Sequence, residues 1–187
     1  FTYTEFPVTE EYTRIDGLIF DSSPQTSDYI RVISLRTINN VDSDIHISNN
    51  ILKADGSAIT GSHVIHGIVT RSGYEGNYRA YNNIFYDFTT PQAGSSDAIA
   101  HSGGVMYAYN NTIFNCDTGM DGGSGGSILA INNIIASTTN PFIGTFYASS
   151  THNATDHATA SAGSGATINN ATFNFVSTAS GTEDFQL

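Results

Sequence analysis

The chain has 187 residues, which suits one domain or one elongated repeat array, and its six basic and seventeen acidic residues give a net charge of −11. Such an acidic surface disfavours nucleic acid and anionic membranes as partners, because both are bound through clustered Lys and Arg. Ser, Thr and Asn make up about a third of the chain, yet Ile, Val, Tyr and Phe recur at regular spacing. This pattern predicts an ordered all-β protein with polar turns.

A strand, an Asn-Asn pair and a second short strand recur along the chain. The clear copies are Ile45–Leu52, Tyr78–Tyr86, Val105–Cys116 and Ile128–Ile135, and fainter copies are Arg14–Phe20 and Tyr147–Ala154. The turn positions of successive copies align at Gly17, Asn50, Asn83, Asn111, Asn133 and Asn153, at intervals of 33, 33, 28, 22 and 20 residues. A constant core with coils of unequal length predicts a solenoid that accepts insertions at one corner.

The Asn pair suits a sharp corner between two strands. Asn tolerates positive φ, and stacked Asn side chains can hydrogen-bond along a column. We therefore predict structural turn residues at Asn50, Asn83, Asn111 and Asn133. A two-residue hairpin turn is the alternative, but hairpins prefer Asn-Gly, a dipeptide that does not occur in this chain.

A third apolar run precedes each copy of this pattern. These runs are Tyr29–Leu35, His63–Val69, Asp97–His101 and Thr118–Met120. Three short strands per coil predict a parallel β-helix of about five to six coils, in which neighbouring strands lie about 4.8 Å apart. The predicted insertions are Ser22–Asp28, Ala54–Ser62, Ser72–Asn77, Thr89–Ser96 and Gly122–Ser127, all rich in turn residues.

The predicted organisation is a single domain, 1–187, with the coils in 14–153. In the remainder, 154–187, we expect a loop that runs back along the solenoid to Ala166. A capping strand, Ala171–Val176, then covers an end or a side. Open β-helix ends expose strand edges, so Phe1–Val8 and Phe173–Leu187 are the candidate caps. Both chain ends also suggest a fragment of a longer protein.

These repeats resemble the right-handed parallel β-helix repeat proteins, the broad pectate-lyase-like superfold. The part from Asn132 to Leu187 resembles the last coils of such proteins in secreted bacterial surface proteins and phage appendages, with a Gly/Ser/Thr loop, a strand at Thr172–Val176 and a Glu183–Leu187 ending. The resemblance implies a right-handed, single-stranded β-helix and an extracellular, cell-surface or virion location. It implies no single activity, because this superfold hosts lyases, hydrolases, esterases, adhesins and inert spacers.

The sequence offers few candidates for catalysis. Glycoside hydrolysis needs two carboxyl groups at a defined separation, and the candidates are Asp97 and Asp121, with His101 as a third catalytic residue. The segment Ser96–Gly104 resembles the acid-bearing strand of polygalacturonases but has one Asp instead of a pair, and the later Arg-x-Lys signature is missing.

Metal binding has equally little support. Asp42, Asp44 and Asp55 are the candidate ligands for Ca²⁺, but they lack the ligand density of a calcium loop. We expect them to be solvated turn acids, and we expect the protein to need no cofactor.

Residues just after the first strand of each coil suggest a binding edge. They are Arg36, Arg71, His101 and Asp121, and in register they would stack on successive coils. The functional interpretation is a groove for an acidic or neutral glycan, with a His that can titrate. The alternative is a solvated ladder of ions, in which each pair contributes less than about 1 kcal/mol.

Other chemistry-bearing residues are more readily explained by packing. His66 lies among apolar residues and is predicted to be a satisfied packing residue instead of a ligand, and the lone Cys116 is predicted to be a small buried hydrophobe. Alternation places Tyr107 and Tyr109 on one face, where they should join Tyr81 in the core or in an outer aromatic ladder.

The function expected from the sequence is a non-catalytic extracellular or virion-associated module: a rigid spacer, an adhesin or a glycan-recognition segment. One alternative is a polysaccharide lyase or glycoside hydrolase acting on an extracellular polysaccharide. Another is a homo-oligomer, either a trimer or a filament stacked end to end. The expected partner is an extracellular glycan, without nucleic acid and without membrane insertion.

Overall fold

The computed structural model describes residues 5–22, 29–36, 42–55, 64–91, 96–123, 125–179 and 182–186. Within these ranges the chain forms strands and turns and no helix. The strands are β1 (Glu5–Val8), β2 (Tyr12–Asp16), β3 (Ile19–Asp21), β4 (Tyr29–Leu35), β5 (Asp44–Ser48), β6 (Ile51–Lys53), β7 (Val64–Thr70), β8 (Asn77–Tyr81), β9 (Ile84–Tyr86), β10 (Ser96–His101), β11 (Gly104–Tyr109), β12 (Thr112–Phe114), β13 (Thr118–Gly122), β14 (Gly126–Ile131), β15 (Ile134–Ala136), β16 (Asn140–Gly144), β17 (Asn153–Thr155) and β18 (Thr167–Ile168).

The strands form three sheets in which each strand pairs in parallel with the strand of the next coil. Sheet A has the order β1-β4-β7-β10-β13-β16, and sheet B has the order β2-β5-β8-β11-β14. Sheet C has the order β3-β6-β9-β12-β15-β17-β18. The chain therefore visits A, B and C in turn, and the predicted all-β parallel β-helix is confirmed. Because β1 already pairs with β4, the coils begin before Arg14, and Phe1–Thr4 lie outside the described residues.

At the corner between sheets B and C, the two Asn residues of each pair have different structural roles. The first Asn of each pair has positive φ, between 53° and 57° at Asn49, Asn82, Asn110 and Asn132. The second Asn is buried, and its side chain is hydrogen-bonded to the next coil. A left-handed residue makes the sharp turn, and a buried amide then ties neighbouring coils together.

The first copy of this corner has a different register from the one predicted. Asp16 lies opposite Ser48 and Ile19 opposite Ile51, so Gly17 is aligned with Asn49 and not with Asn50. Gly17 has φ 71° and takes the role of the first Asn, while the Leu18 backbone N–H donates to Asn50 Oδ1 at 3.0 Å. The predicted alignment of Gly17 with Asn50 is therefore wrong by one residue.

The core fills the inside of the tube with apolar residues stacked from coil to coil. One column, from sheet A, contains Ile33, Ile68, Ile99 and Met120, each with no exposed surface. Burial of such a side chain stabilises the fold by roughly 1.5–3 kcal/mol. Cys116 is buried in the same core, as its apolar context predicts.

Insertions occur at two corners, between sheets C and A and between sheets A and B. The corner between B and C stays constant because the buried Asn side chains fix its geometry. The prediction that insertions enter at one corner is therefore wrong. Most of the predicted insertions Ser22–Asp28 and Ala54–Ser62 lies outside the described residues, as do His63, 37–41, 92–95 and Ser124.

The loop after β17 closes the C-terminal end of the core. Ala162 has no exposed surface and belongs to the core cluster. The His152 backbone N–H donates to the carbonyl of Ala166 at 2.9 Å, which fixes the loop against the last coil. The prediction that this loop runs back along the solenoid is wrong, because its small residues fit over the open end of the tube.

The final segment covers the outer face of sheet C. The ring of Phe185 lies 5.4 Å from that of Phe114 and 5.2 Å from that of Tyr86, and Phe175 lies 5.7 Å from Phe114. Residues 171–176 form no strand, so the predicted capping strand is wrong in type although it does cover a side. The segment is held by aromatic side chains instead of a backbone ladder.

Candidate functional site

The outer face of sheet A contains a groove of about 330 Å³. We call it the sheet A groove and define it by Arg31, His66, Arg71, Asp97, Ser102 and Asp121. These side chains come from the strands or strand ends of four successive coils. The groove therefore runs across the strands, along the axis of the β-helix.

Strand register brings the polar residues of the groove together. Glu5 lies opposite Arg31, Arg31 opposite His66, and His66 opposite Asp97, so one row crosses four strands. Asp121 belongs to the neighbouring row, where it lies opposite Ala100. Each step in a row is one strand spacing, about 4.8 Å, so charged groups face each other directly.

His66 and Asp97 are buried and in close contact at the centre of the groove. His66 Nδ1 lies 2.9 Å from Asp97 Oδ2, and the Asp97 side chain is only 2 % exposed. An imidazole beside a buried carboxylate is held in one orientation, which leaves its other nitrogen for a ligand or solvent. The burial of His66 agrees with its prediction as a packing residue, and its partner Asp97 lies on the next coil, 31 residues away.

Asp121 lies beside this pair and is half-buried. Burial raises the pKa of its carboxyl, and the negative charge of Asp97 raises it further, while His66 lowers it. The groove therefore contains two carboxyl groups in different environments, one paired with His66 and the other more readily protonated.

The predicted column of Arg36, Arg71, His101 and Asp121 is wrong from its third member onward. Leu35 lies opposite Thr70, so Arg36 and Arg71 are neighbours at the strand ends. His101, however, lies opposite Gly122, and Asp121 lies opposite Ala100. The reason is that β10 continues through His101, one residue beyond its predicted end. Strand β13 continues through Gly122, two residues beyond its predicted end.

His101 points into the core and does not line the groove. It has no exposed surface, and its pKa is lowered to about 4 by burial, despite its hydrogen bond to Gly104. The Nε2–H donates to the Gly104 carbonyl at 3.0 Å, and Nδ1 accepts from the Thr70 hydroxyl at 2.8 Å. This His is a neutral structural residue at pH 7.

The three predicted calcium ligands are not brought together. Asp44 begins β5 in sheet B, where its carboxylate binds Arg14 at 3.1 Å, His46 at 3.0 Å and also Arg79. Asp55 follows β6 in sheet C, and Asp42 precedes β5 on the surface. Among the residues that the structure describes, no group of three or more His, Cys, Asp or Glu is arranged to hold a metal ion.

A second polar surface, the outer face of sheet B, contains the tyrosines. Tyr81 lies opposite Tyr109, and the rings of Tyr107 and Tyr109 are 6.1 Å apart. The Arg79 guanidinium lies over the Tyr107 ring, 5.4 Å from its centroid. Of the two interpretations left open by alternation, the outer aromatic ladder is the one found, because all three tyrosines are half-buried on the outside of the tube.

Comparison of the chain with protein-family models, with curated proteins and with solved structures found no match in any of the three. The fold is therefore established by its own strand pairing. Within the described residues, no helix is long and apolar enough to cross a membrane.

Proposed function

We propose that this chain is a non-catalytic glycan-recognition module of the parallel β-helix class, and that the sheet A groove binds an extracellular polysaccharide. The observation that carries the proposal is that Arg71, His66, Asp97 and Asp121 line one groove on the outer face of a sheet. Guanidinium and imidazole groups donate hydrogen bonds, and carboxylates accept them, so together they match the hydroxyl groups of sugars.

The direction of the groove supports a long ligand. Side chains at equivalent positions repeat once per coil, about every 4.8 Å, along the axis of the helix. A polysaccharide lying on this axis meets Arg31, His66 and Asp97 in succession. Ser102 adds a hydroxyl group to the lining of the same groove.

The rigidity of the frame supports recognition without large movement. The Asp97 carboxylate is fixed by His66, and His66 lies within a strand that is hydrogen-bonded on both sides. A site fixed in this way loses little conformational entropy when a ligand binds. The acidic chain, with its net charge of −11, fits a soluble extracellular, cell-surface or virion-associated protein, which is the setting we propose.

Glycoside hydrolysis is a second candidate, favoured by the two carboxyl groups in one groove. The raised pKa of Asp121, due to burial and to the charge of Asp97, suits a general acid beside a second carboxyl group. In this alternative Asp121 donates the proton to the leaving oxygen, and Asp97 acts as base or nucleophile. The family consistent with this alternative is the pectate-lyase-like superfold.

An array of neutral and charged polysaccharide fragments tests both candidates. Wild type is compared with Asp121→Asn in the groove, and Tyr107→Ala on sheet B is the matched control. Binding that is lost in Asp121→Asn and kept in Tyr107→Ala supports recognition at the sheet A groove. If wild type releases new reducing ends and Asp121→Asn does not, the groove is the site of a glycoside hydrolase and the proposal of non-catalytic recognition is wrong. Absence of both binding and cleavage overturns the proposal.

A further inference from the structure

One end of the sheet A groove concentrates positive charge in an acidic protein. Arg31, Arg36 and Arg71 are three of the six basic residues of the chain, whose net charge is −11. Arg31 and Arg71 line the groove together, and Arg36 follows β4 at the position next to Arg71. We call these three residues the arginine cluster.

A single carboxylate partly neutralises the arginine cluster. Arg36 is hydrogen-bonded to Glu5, and Arg31 Nη1 lies 3.9 Å from the other carboxylate oxygen of Glu5. Among the described residues, the ion pairs of Arg31 and Arg36 both go to Glu5. One negative and three positive charges leave the cluster with a net charge of about +2.

The cluster is unfavourable when nothing is bound. The Arg31 side chain is 17 % exposed, and its Nε is buried with no hydrogen-bond partner among the residues that the structure describes. Burial lowers the pKa of this guanidinium, and the like charge of Arg71 lowers it further. A buried donor without an acceptor and repelling like charges both destabilise the folded chain, and an anion bound between the guanidinium groups reduces the repulsion.

We propose that Arg31, Arg36 and Arg71 form an anion site that takes an oxyanion group, a sulfate ester or a carboxylate, of a polysaccharide lying in the sheet A groove. Planar guanidinium groups donate paired hydrogen bonds to such oxyanions. This inference rests on the proposed glycan-binding function and names its substrate class as anionic.

The charge of the rest of the protein restricts the ligand. A polyanion with a phosphate on every residue, such as a nucleic acid, needs a continuous basic track and is repelled by the acidic surface. The arginine cluster is confined to one end of the groove, and Asp97 and Asp121 lie further along it. The arrangement fits a glycan with charged groups separated by neutral sugars.

The test measures affinity by titration calorimetry for three oligosaccharides of one backbone: sulfated, uronate-bearing and neutral. Arg71→Ala removes an exposed member of the cluster. Arg14→Ala is the matched control, because Arg14 is an exposed Arg on sheet B that pairs with Asp44. We expect Arg71→Ala to weaken binding of a charged oligosaccharide at least tenfold more than it weakens binding of the neutral one, with no change for either in Arg14→Ala. Tighter binding of the sulfated oligosaccharide identifies the group as a sulfate ester, and tighter binding of the uronate-bearing one identifies it as a carboxylate.

Inorganic sulfate separates this inference from the proposed function. Thermal stabilisation by sulfate that is lost in Arg71→Ala, without binding of any glycan, keeps the anion site and overturns glycan recognition. Equal affinity of wild type for charged and neutral oligosaccharides, lowered to the same extent for both by Arg71→Ala, overturns the anion site and keeps glycan recognition. If neither sulfate nor glycan binds, both proposals fail.

Discussion

The side-chain oxygen of Asn111 accepts two hydrogen bonds from Asn83, one from the backbone N–H and one from Nδ2, both at 3.1 Å. Asn111 in turn donates from Nδ2 to Asn133 Oδ1 at 3.0 Å and to the carbonyl of Ala80 at 2.9 Å. The same pattern joins Asn50 to Asn83 and Asn133 to Asn153. This buried ladder holds one edge of the β-helix together and keeps all three sheets in register.

The first prediction concerns this ladder. Replacing Asn111 with Ala removes the acceptor of a buried backbone N–H and breaks the ladder in the middle. We expect the free energy of unfolding to fall by about 3 kcal/mol, because each buried polar group left without a partner costs about 1–3 kcal/mol. Urea unfolding followed by circular dichroism measures the change.

The neighbouring residue provides the control for this prediction. Asn110 has φ 53° and is exposed, so its role is conformational. Asn110→Gly should change the free energy of unfolding by less than about 0.5 kcal/mol, because Gly adopts positive φ without strain. Equal destabilisation by Asn111→Ala and Asn110→Gly would contradict the assignment of the ladder to the second Asn.

The second prediction concerns pH and His101. Its pKa is about 4 in the folded chain, against 6.5 for an ordinary His, so between these values the unfolded chain binds more protons. The contribution of His101 to the free energy of unfolding is fully present above pH 6.5. It is lost as the pH falls towards 4, and the total loss is about 3 kcal/mol. Urea unfolding between pH 7 and pH 4.5 measures this dependence.

His101→Gln isolates the contribution of this residue from that of the carboxylates. The variant is less stable than wild type at pH 7, since it loses packing against Tyr78, whose ring centroid lies 6.0 Å from that of His101. The difference between the two proteins should shrink as the pH falls, because the variant has no imidazole to protonate. Parallel stability curves for the two proteins would show that His101 does not titrate in this way.

The third prediction concerns the segment on sheet C. Phe185 packs on Phe114, Tyr86 and Phe175, so Phe185→Ala should detach residues 171–186 and leave the coils folded. Limited proteolysis should then cut this segment at least tenfold faster, while the far-ultraviolet spectrum remains that of a β-protein. Val176→Ala is the control, because Val176 is 68 % exposed and its removal should leave the rate of cleavage unchanged.

The fourth prediction concerns Cys116. Burial raises the pKa of its thiol, and the side chain lies in the core, so the reactive thiolate is suppressed in the folded chain. A thiol reagent should modify Cys116 only as fast as the β-helix unfolds. Rapid modification in the absence of denaturant would mean that this part of the core opens locally.

The sequence predicts the β-helix well because its signals are local. The apolar run Tyr29–Leu35 has the same bounds as β4, and each Asn pair marks its own corner. The side of the tube that Phe185 covers could not be predicted, because the sequence around an aromatic residue in a polar tail does not indicate which residues it packs against.

The candidate site was harder to predict because it depends on register between coils. His66 has apolar neighbours along the chain, which indicate packing, but its partner Asp97 is set by strand pairing. A predicted end of β10 that is one residue too early places His101 in the groove, whereas in the structure His101 lies in the core. Site residues in a β-helix become predictable once the pairing of every strand is known.

An NMR titration of the ¹⁵N-labelled chain with the tightest-binding oligosaccharide from the array locates the bound glycan on the surface of the β-helix. If the glycan lies in the sheet A groove, the amide shifts of Arg31, His66 and Asp97 change together, with no change at Tyr107 and Tyr109. Changes confined to the tyrosines of sheet B, with the sheet A groove unaffected, would contradict this location.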